Sequence, residues 1–275
     1  MYQSPSPFSD EQFSSEVSRE SFEPNSSANS AFDYSAFDPA AYIAEYYSEV
    51  GAENRFLLEF YHRAFQHIPR GASFLEFGGG PTIYQLLSAR RRVKEIVFAE
   101  YLPANRREIE KWVFDEPGAF NWSEYIDLVL ALEHKQRTEE QRRRVRQELS
   151  KKVTQIIACD AYSSNILGND SLRQFDVVSS SFCLECISPY ESDLRSFFAK
   201  LDCVLRPRGM LVLTMLKKAE SYKIGDLMFP ACSIDEDYMR GMLRDLGYHW
   251  VSIESVQAEA DQGYAGLIAI TAEKG

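Results

Sequence analysis

Along residues 1 to about 31 the apolar positions are isolated phenylalanines among Ser, Pro, Asn and Glu, with no sustained period. Such a segment buries too little surface to offset its ordering entropy and is expected to be a disordered leader, with one domain over 32–275. Periodicity begins at Phe37-Asp38-Pro39-Ala40-Ala41-Tyr42, where Asp38 can cap and Pro39 can open a helix reaching about Val50. Tyr42, Tyr46 and Tyr47 fall partly on one face of it. A second helical pattern, roughly Asn54 to His67, stops at Pro69 and Gly71. Next come a strand-like run Ser73–Phe77, the turn Gly78-Gly79-Gly80-Pro81, and from Thr82 a predicted helix.

The alternation then repeats: strand Glu95–Ala99, helix from about Pro103 to Asp115, strands Val153–Ala158 and Phe175–Ser179, helix Tyr190–Leu205, strand Met210–Met215. Strands alternating with helices imply a mostly parallel sheet covered on both faces, the α/β class. After a helix from about Ile234 to Leu246, two consecutive strands, Trp250–Val256 and Gly266–Ala272, predict a closing antiparallel hairpin. Between 133 and 152 a strongly charged stretch with Arg142-Arg143-Arg144 reads as a solvated helical insertion, because acids are interspersed and stacking aromatics are missing.

With 275 residues, 45% of them hydrophobic, the chain can bury one sizeable core. Its 41 acidic against 30 basic residues leave a net charge of −11, which disfavours a nucleic-acid partner. No apolar run reaches the roughly 18 residues of a membrane span, and the N-terminus lacks a signal core, so neither membrane nor secretion is expected. Five cysteines without paired metal-type spacing fit a reduced, cytoplasmic setting with no metal; Cys183-x-x-Cys186 lies in an apolar run and reads as core packing.

The chemistry gathers at the strand ends. Gly78 and Gly80 follow the first strand, where the backbone can approach a ligand only if no Cβ intervenes. A dinucleotide fingerprint would place a third glycine where Ile83 stands, and Glu76 beside the turn would repel a diphosphate but suit a sulfonium or amino group. Glu100, about 20 residues on at the end of the second strand, can accept from both hydroxyls of a ribose. Asp160, after the third strand, can accept from an adenine amino group. Together they point to an adenosyl ligand in the crevice.

The run Gly78-Gly79-Gly80-Pro81-Thr82-Ile83-Tyr84-Gln85-Leu86-Leu87-Ser88-Ala89 resembles the cofactor motif of the nicotinamide, phenylethanolamine, indolethylamine and thioether methyltransferase family. The resemblance runs on through Phe37-Asp38-Pro39 with Tyr42 and Tyr46-Tyr47, Lys94–Val97 with Glu100-Tyr101 and Asn105, Glu110-Lys111-Trp112, and Phe120–Ser123, in order. It implies a Rossmann-like class I methyltransferase with a seven-stranded sheet, and S-adenosylmethionine as cofactor, leaving as S-adenosylhomocysteine. It also implies helices over 38–67 that cover the cofactor. By it, Tyr42 and Tyr47 cover the methionine end, Gly78, Gly80 and Thr82 line the cofactor, and Tyr84 touches its carboxylate region. Glu100 and Asn105 hold the ribose, Asp160 and Ala161 the adenine, and Ser181 closes the cofactor side.

The segment Ser181–Pro189 is most similar to the phenylethanolamine branch, which implies Phe182 against an aromatic acceptor and Glu185 as the carboxylate that meets its amine and serves as base. Tyr222 matches a pocket tyrosine, and Asp261 is the candidate second acid. The position at which the nicotinamide branch carries an aspartate is Met215, and another pocket acid of the phenylethanolamine branch falls on Ala219, so neither nicotinamide nor a catecholamine is implied. The expected partner is a small-molecule acceptor, an aromatic or arylalkyl amine, met by an enzyme expected as a monomer, with a dimer left open. Methylation at O, S or C and a non-catalytic adenosyl-binding module stay open as alternatives.

Overall fold

Side chains alternate between two apolar layers along each central strand, and that alternation fixes the architecture seen in a computed structural model, which describes residues 33–168, 173–258 and 263–275. Phe74, Ile96, Phe98, Val177, Val212 and Ala269 face one layer; Leu75, Phe77, Val97, Val178, Leu213 and Ile270 face the other. Runs apolar on both faces can be buried only by helices on both sides.

The chain opens with α1 (Pro39–Tyr47) and α2 (Ala52–Gln66), then β1 (Ala72–Phe77) and β2 (Val93–Ala99). Three helices, α3 (Pro103–Val113), α4 (Ser123–Leu132) and α5 (Glu139–Ser150), lead to β3 (Val153–Ile157). There follow β4 (Phe175–Ser181), α6 (Glu191–Val204), β5 (Leu205–Lys217), a hairpin β6 (Ser221–Ile224) and β7 (Leu227–Pro230), α7 (Glu236–Asp245), β8 (Tyr248–Gln257) and β9 (Gly266–Lys274). The seven-stranded sheet has the order β3-β2-β1-β4-β5-β9-β8, parallel from β3 to β5 and antiparallel at β5–β9 and β9–β8. The predicted α/β class and closing hairpin therefore hold, and strand order reverses between β1 and β4, where an open α/β sheet forms its crevice.

Three elements depart from the sequence reading. No α-helix follows the glycine turn: the chain makes short 3-10 turns at Tyr84–Leu86 and Ala89–Arg91. The cause is local, because the Gln85 amide donates to the carbonyls of Gly79 and Thr82, and the Thr82 hydroxyl donates to Gly79 O at 2.9 Å, taking acceptors a helical ladder would use. Helix α4 and the β6–β7 hairpin were not anticipated. The charged stretch does form a helix, α5, capped by Thr138, but one face is packed: Val145 and Leu149 are buried, and Arg146 donates to Trp112 O while stacking on that indole. The Arg90 guanidinium, fully buried, bonds Glu133 at 2.8 Å and Glu148 at 3.1 Å. Burial would raise the Glu133 carboxyl, yet Arg90 and Lys135 hold it below its ordinary value. Among the described residues no helix is long and apolar enough to cross a membrane.

Candidate functional site

At the β1/β4 reversal the two strand ends meet through Gly78 and Cys183. Gly78 has φ +66°, and a Cβ there would lie 2.0 Å from Cys183 Sγ and 2.8 Å from Cys183 Cβ. Only glycine permits both the backbone angle and the approach. Gly80 has φ +60° with nothing within 4 Å of the place a Cβ would take, so its face is open to the cavity. The cavity runs from the glycine turn past the ends of β2 and β4 to helix α1 and the β6–β7 hairpin.

One end is polar. Glu100 closes β2 and accepts from Gly80 N at 3.0 Å, Leu102 N at 2.9 Å and Asn105 Nδ2 at 3.1 Å. Burial raises its carboxyl above the ordinary value although these donors oppose the rise. Oε1 takes two of these donors and Oε2 only the Gly80 N–H, so one lone pair on Oε2 is left to receive a hydroxyl donor. Asn105 Oδ1 is buried without a hydrogen-bond partner while the residue lines the cavity, an acceptor awaiting a donor. Asp160, which accepts from Tyr162 N at 2.8 Å, lines the same end with Ala161. A glycine cradle, an unsatisfied acceptor and two carboxylates fit an adenosyl group.

The other end is aromatic. Helix α1 starts on the Asp38 cap and carries Tyr42 and Tyr47, whose hydroxyls lie 3.3 Å apart, across the cavity. Tyr46 donates to Lys223 O at 2.6 Å and Glu45 accepts from Gly225 N at 3.0 Å, which bind α1 to the β6–β7 hairpin. On that hairpin Tyr222 stacks on Phe229 with centroids 5.4 Å apart, and Tyr34 also stacks on Phe229, at 5.7 Å. Phe182 faces them from a left-handed backbone, φ 50°, with its N–H donating to Thr214 O at 2.8 Å. A bulky residue held at positive φ costs on the order of 1–3 kcal/mol, a strain typical of functional positions. Ser181 is tied beneath by Tyr61, which also bonds Thr214, both at 2.8 Å.

The structure thus brings Tyr42, Tyr47, Gly78, Gly80, Thr82, Glu100, Asn105, Asp160, Ala161, Ser181, Phe182 and Tyr222 around one cavity. Tyr84 does not line it; its ring is buried behind Tyr47, centroids 5.0 Å apart, in a cluster with Trp122 and Tyr125. Glu185 is also off the lining, contrary to the expectation that its carboxylate meets the acceptor. Its Oε1 accepts from Leu216 N at 2.8 Å inside the wall, and burial pushes its carboxyl up to about 7. The reason is the 3-10 turn Leu184–Cys186, which presents Cys183 and Cys186 to the cavity and turns Glu185 toward β5. Asp261 and the leader lie outside the described residues. Sequence reasoning missed Tyr34, Phe37, Glu53, Asn54 and Tyr264 as lining residues. Tyr34 had a signal in its place one turn before the Phe37-Asp38-Pro39 start, whereas Glu53 and Tyr264 had none, since their proximity comes from α2 packing beside β9.

The sequence model of the NNMT/PNMT/TEMT family matches residues 27–275. The chain belongs to this family. It is an S-adenosylmethionine-dependent methyltransferase, and the polar end and glycine cradle suit that cofactor. Nicotinamide N-methyltransferase of Sus scrofa is 31% identical over 252 residues, covering 87% of this chain and 94% of that protein. Indolethylamine N-methyltransferase of Mus musculus is 29% identical, with 87% and 93% covered. Phenylethanolamine N-methyltransferase of Sus scrofa is 35% identical over 183 residues, 65% of this chain and 62% of that one. In fold, this NNMT/PNMT/TEMT member is similar to DhpI in complex with SAH, TM-score 0.54 at 13% identity with 86% and 91% covered. It is similar also to the Burkholderia thailandensis 1,6-didemethyltoxoflavin-N1-methyltransferase, TM-score 0.50 at 14% identity, 86% of each chain covered.

Proposed function

We propose that the enzyme N-methylates a small aromatic or arylalkyl amine. The observation that carries this reading is the chamber of Tyr34, Phe37, Phe182 and Tyr222, which opens directly from the glycine cradle and offers ring faces to a flat apolar acceptor. Relatives named for nicotinamide, indolethylamine and phenylethanolamine N-methylation support nitrogen as the atom. Nicotinamide itself is not proposed, because Met215 is buried in the core at the position the sequence comparison with that branch singles out.

The bound cofactor supplies an electrophilic methyl group on a sulfonium. Everything else is the protein's contribution. Glu100, Asn105 and Asp160 hold the nucleoside, and Gly78–Gly80 let the backbone approach it. Phe182 and Tyr222 orient the acceptor ring, so that the nitrogen faces the methyl in line, and α1 with the hairpin keeps water out. Holding two reactants in register removes much of the entropic part of the barrier, and an amine bound as its ammonium must further lose a proton before its lone pair can attack. Tyrosine faces around a sulfonium favour the positive centre by cation–π attraction.

A labelled methyl-transfer assay over panels of arylalkyl amines, thioethers, phenols and heteroaromatic bases tests this. Turnover of amines with S-adenosylhomocysteine released in equal amount is the expected result. Turnover restricted to acceptors without a basic nitrogen would overturn it.

A further inference from the structure

Among the described residues, three carboxylates line the cavity: Glu53, Glu100 and Asp160. Glu100 and Asp160 follow β2 and β3 and serve the polar end. Glu53 stands apart, in the first turn of α2 beside the start of β9. Tyr264, itself buried, donates its hydroxyl to Glu53 Oε2 at 2.8 Å, and the next residue is fixed by Ala265 N bonding Lys217 O at 2.8 Å. The sheet order separates β2 from β9 by four strand spacings, roughly 19 Å at about 4.8 Å each. A ligand whose ribose sits on Glu100 therefore has its adenosyl part far from Glu53.

Glu53 shares α2 with Asn54 and Leu57 and is bonded by Tyr264, which leads into β9 at Leu267; these residues line the cavity together with the rings of Tyr46 and Tyr47. An ammonium entering such a chamber loses hydration, a cost that a carboxylate partner offsets and a neutral wall does not. The acid expected for that task from the sequence, Glu185, is engaged by Leu216 N within the wall. Tyr264 keeps the Glu53 carboxylate in one orientation, which lowers the entropy lost when a cation pairs with it.

We propose that Glu53, oriented by Tyr264, is the carboxylate that selects cationic acceptors by holding their protonated nitrogen. This rests on the amine reading given above and names the group that imposes it. Tyr264 is a positioning residue and does not itself meet the acceptor.

The test uses the full chain saturated with S-adenosylhomocysteine and two probes, 2-phenylethylamine and its neutral analogue 2-phenylethanol, titrated calorimetrically into wild type, Glu53→Gln and Tyr264→Phe. Wild type is expected to prefer the amine. Glu53→Gln should weaken amine binding by roughly 10-fold to 100-fold, the range for losing a charge-assisted hydrogen bond, and abolish the preference over the alcohol. Tyr264→Phe should give a smaller loss for the amine and none for the alcohol, and it keeps the test intact if Glu53→Gln does not fold. Affinity for S-adenosylhomocysteine should stay within about twofold throughout.

Equal amine binding by wild type and both variants overturns the proposal. So does a parallel loss of cofactor affinity, which would assign Glu53 to the methionine amino group, or a wild type that binds the alcohol as well as the amine. Binding of the amine through Glu53 without methyl transfer to any amine would sustain this assignment and sink the N-methylation reading.

Discussion

Replacing Gly78 by alanine imposes two separate penalties at the point where β1 and β4 diverge. The first is conformational: at φ +66° an L-residue pays on the order of 1–2 kcal/mol that glycine does not. The second is steric. Cys183 Sγ, 2.0 Å from the new methyl, can swing aside by a χ1 rotation, but Cys183 Cβ at 2.8 Å is fixed to its backbone, so the segment carrying Phe182 must shift. Such overpacking costs about 1–3 kcal/mol. Together they predict a loss of roughly 2–5 kcal/mol, read as a fall in the urea midpoint, and S-adenosylhomocysteine affinity at least tenfold weaker by calorimetry. A double-mutant cycle separates the two parts. Cys183→Ala keeps the offending Cβ and should rescue little; Cys183→Gly removes it and should recover the steric part, leaving only the cost in φ. Gly80→Ala, at φ +60° with nothing near its methyl, should lose only about 1–2 kcal/mol of stability. Rescue of Gly78→Ala by Cys183→Ala as complete as by Cys183→Gly, or a Gly78→Ala protein no less stable than Gly80→Ala, would refute the reasoning.

Further outcomes follow from the buried charges and the strained backbone. Burial lifts the Glu185 carboxyl from 4.5 to about 7, so its contribution to stability is fully present below pH 4.5 and is lost as pH rises through 7. Glu185→Gln should therefore gain stability relative to wild type between pH 5 and 8, by up to about 3 kcal/mol in urea unfolding; a constant difference across that window would contradict the burial of the acid. Glu133→Gln leaves the Arg90 guanidinium without its nearest counter-charge and should cost about 3–5 kcal/mol, while Arg90→Met combined with Glu133→Leu costs less; equal losses would mean the pair is not desolvated. At position 182, where φ is 50°, Phe182→Gly should unfold about 1 kcal/mol later than Phe182→Ala, though both lose acceptor affinity; the reverse order would show that the left-handed backbone relaxes when the ring is removed.

Much of the polar half of the site was legible because it is local. Gly78 and Gly80 follow β1, Glu100 follows β2 and Asp160 comes just past β3, and parallel strands bring their carboxyl ends to one edge, so order along the chain locates them. The aromatic half was legible only where a motif marked it, as with Phe182 and Tyr222. Glu53 and Tyr264 are 211 residues apart and meet where α2 packs beside β9, which no periodicity encodes. The two misplacements have a common origin in short 3-10 segments. At Tyr84 the Gln85 amide takes the carbonyls of Gly79 and Thr82, and at Glu185 the backbone carbonyl accepts from Cys232 N at 2.7 Å while the side chain accepts from Leu216 N, so neither residue continues into an α-helix or lines the cavity. The β6–β7 hairpin carried a readable sign, Gly225-Asp226 between two alternating runs, and α4 had apolar Tyr125, Ile126, Val129 and Leu130 at helical spacing.

The cavity's two ends differ in how much of the polypeptide they require. The residues assigned to the nucleoside lie between Gly78 and Ala161, whereas the acceptor chamber joins Tyr34 to the carbonyl of Cys186, 152 residues away, and is lined also by Tyr264 and Leu267 near the last strand. The donor side is therefore specified by a short span of sequence, while the acceptor side exists only where both ends of the described chain have come together.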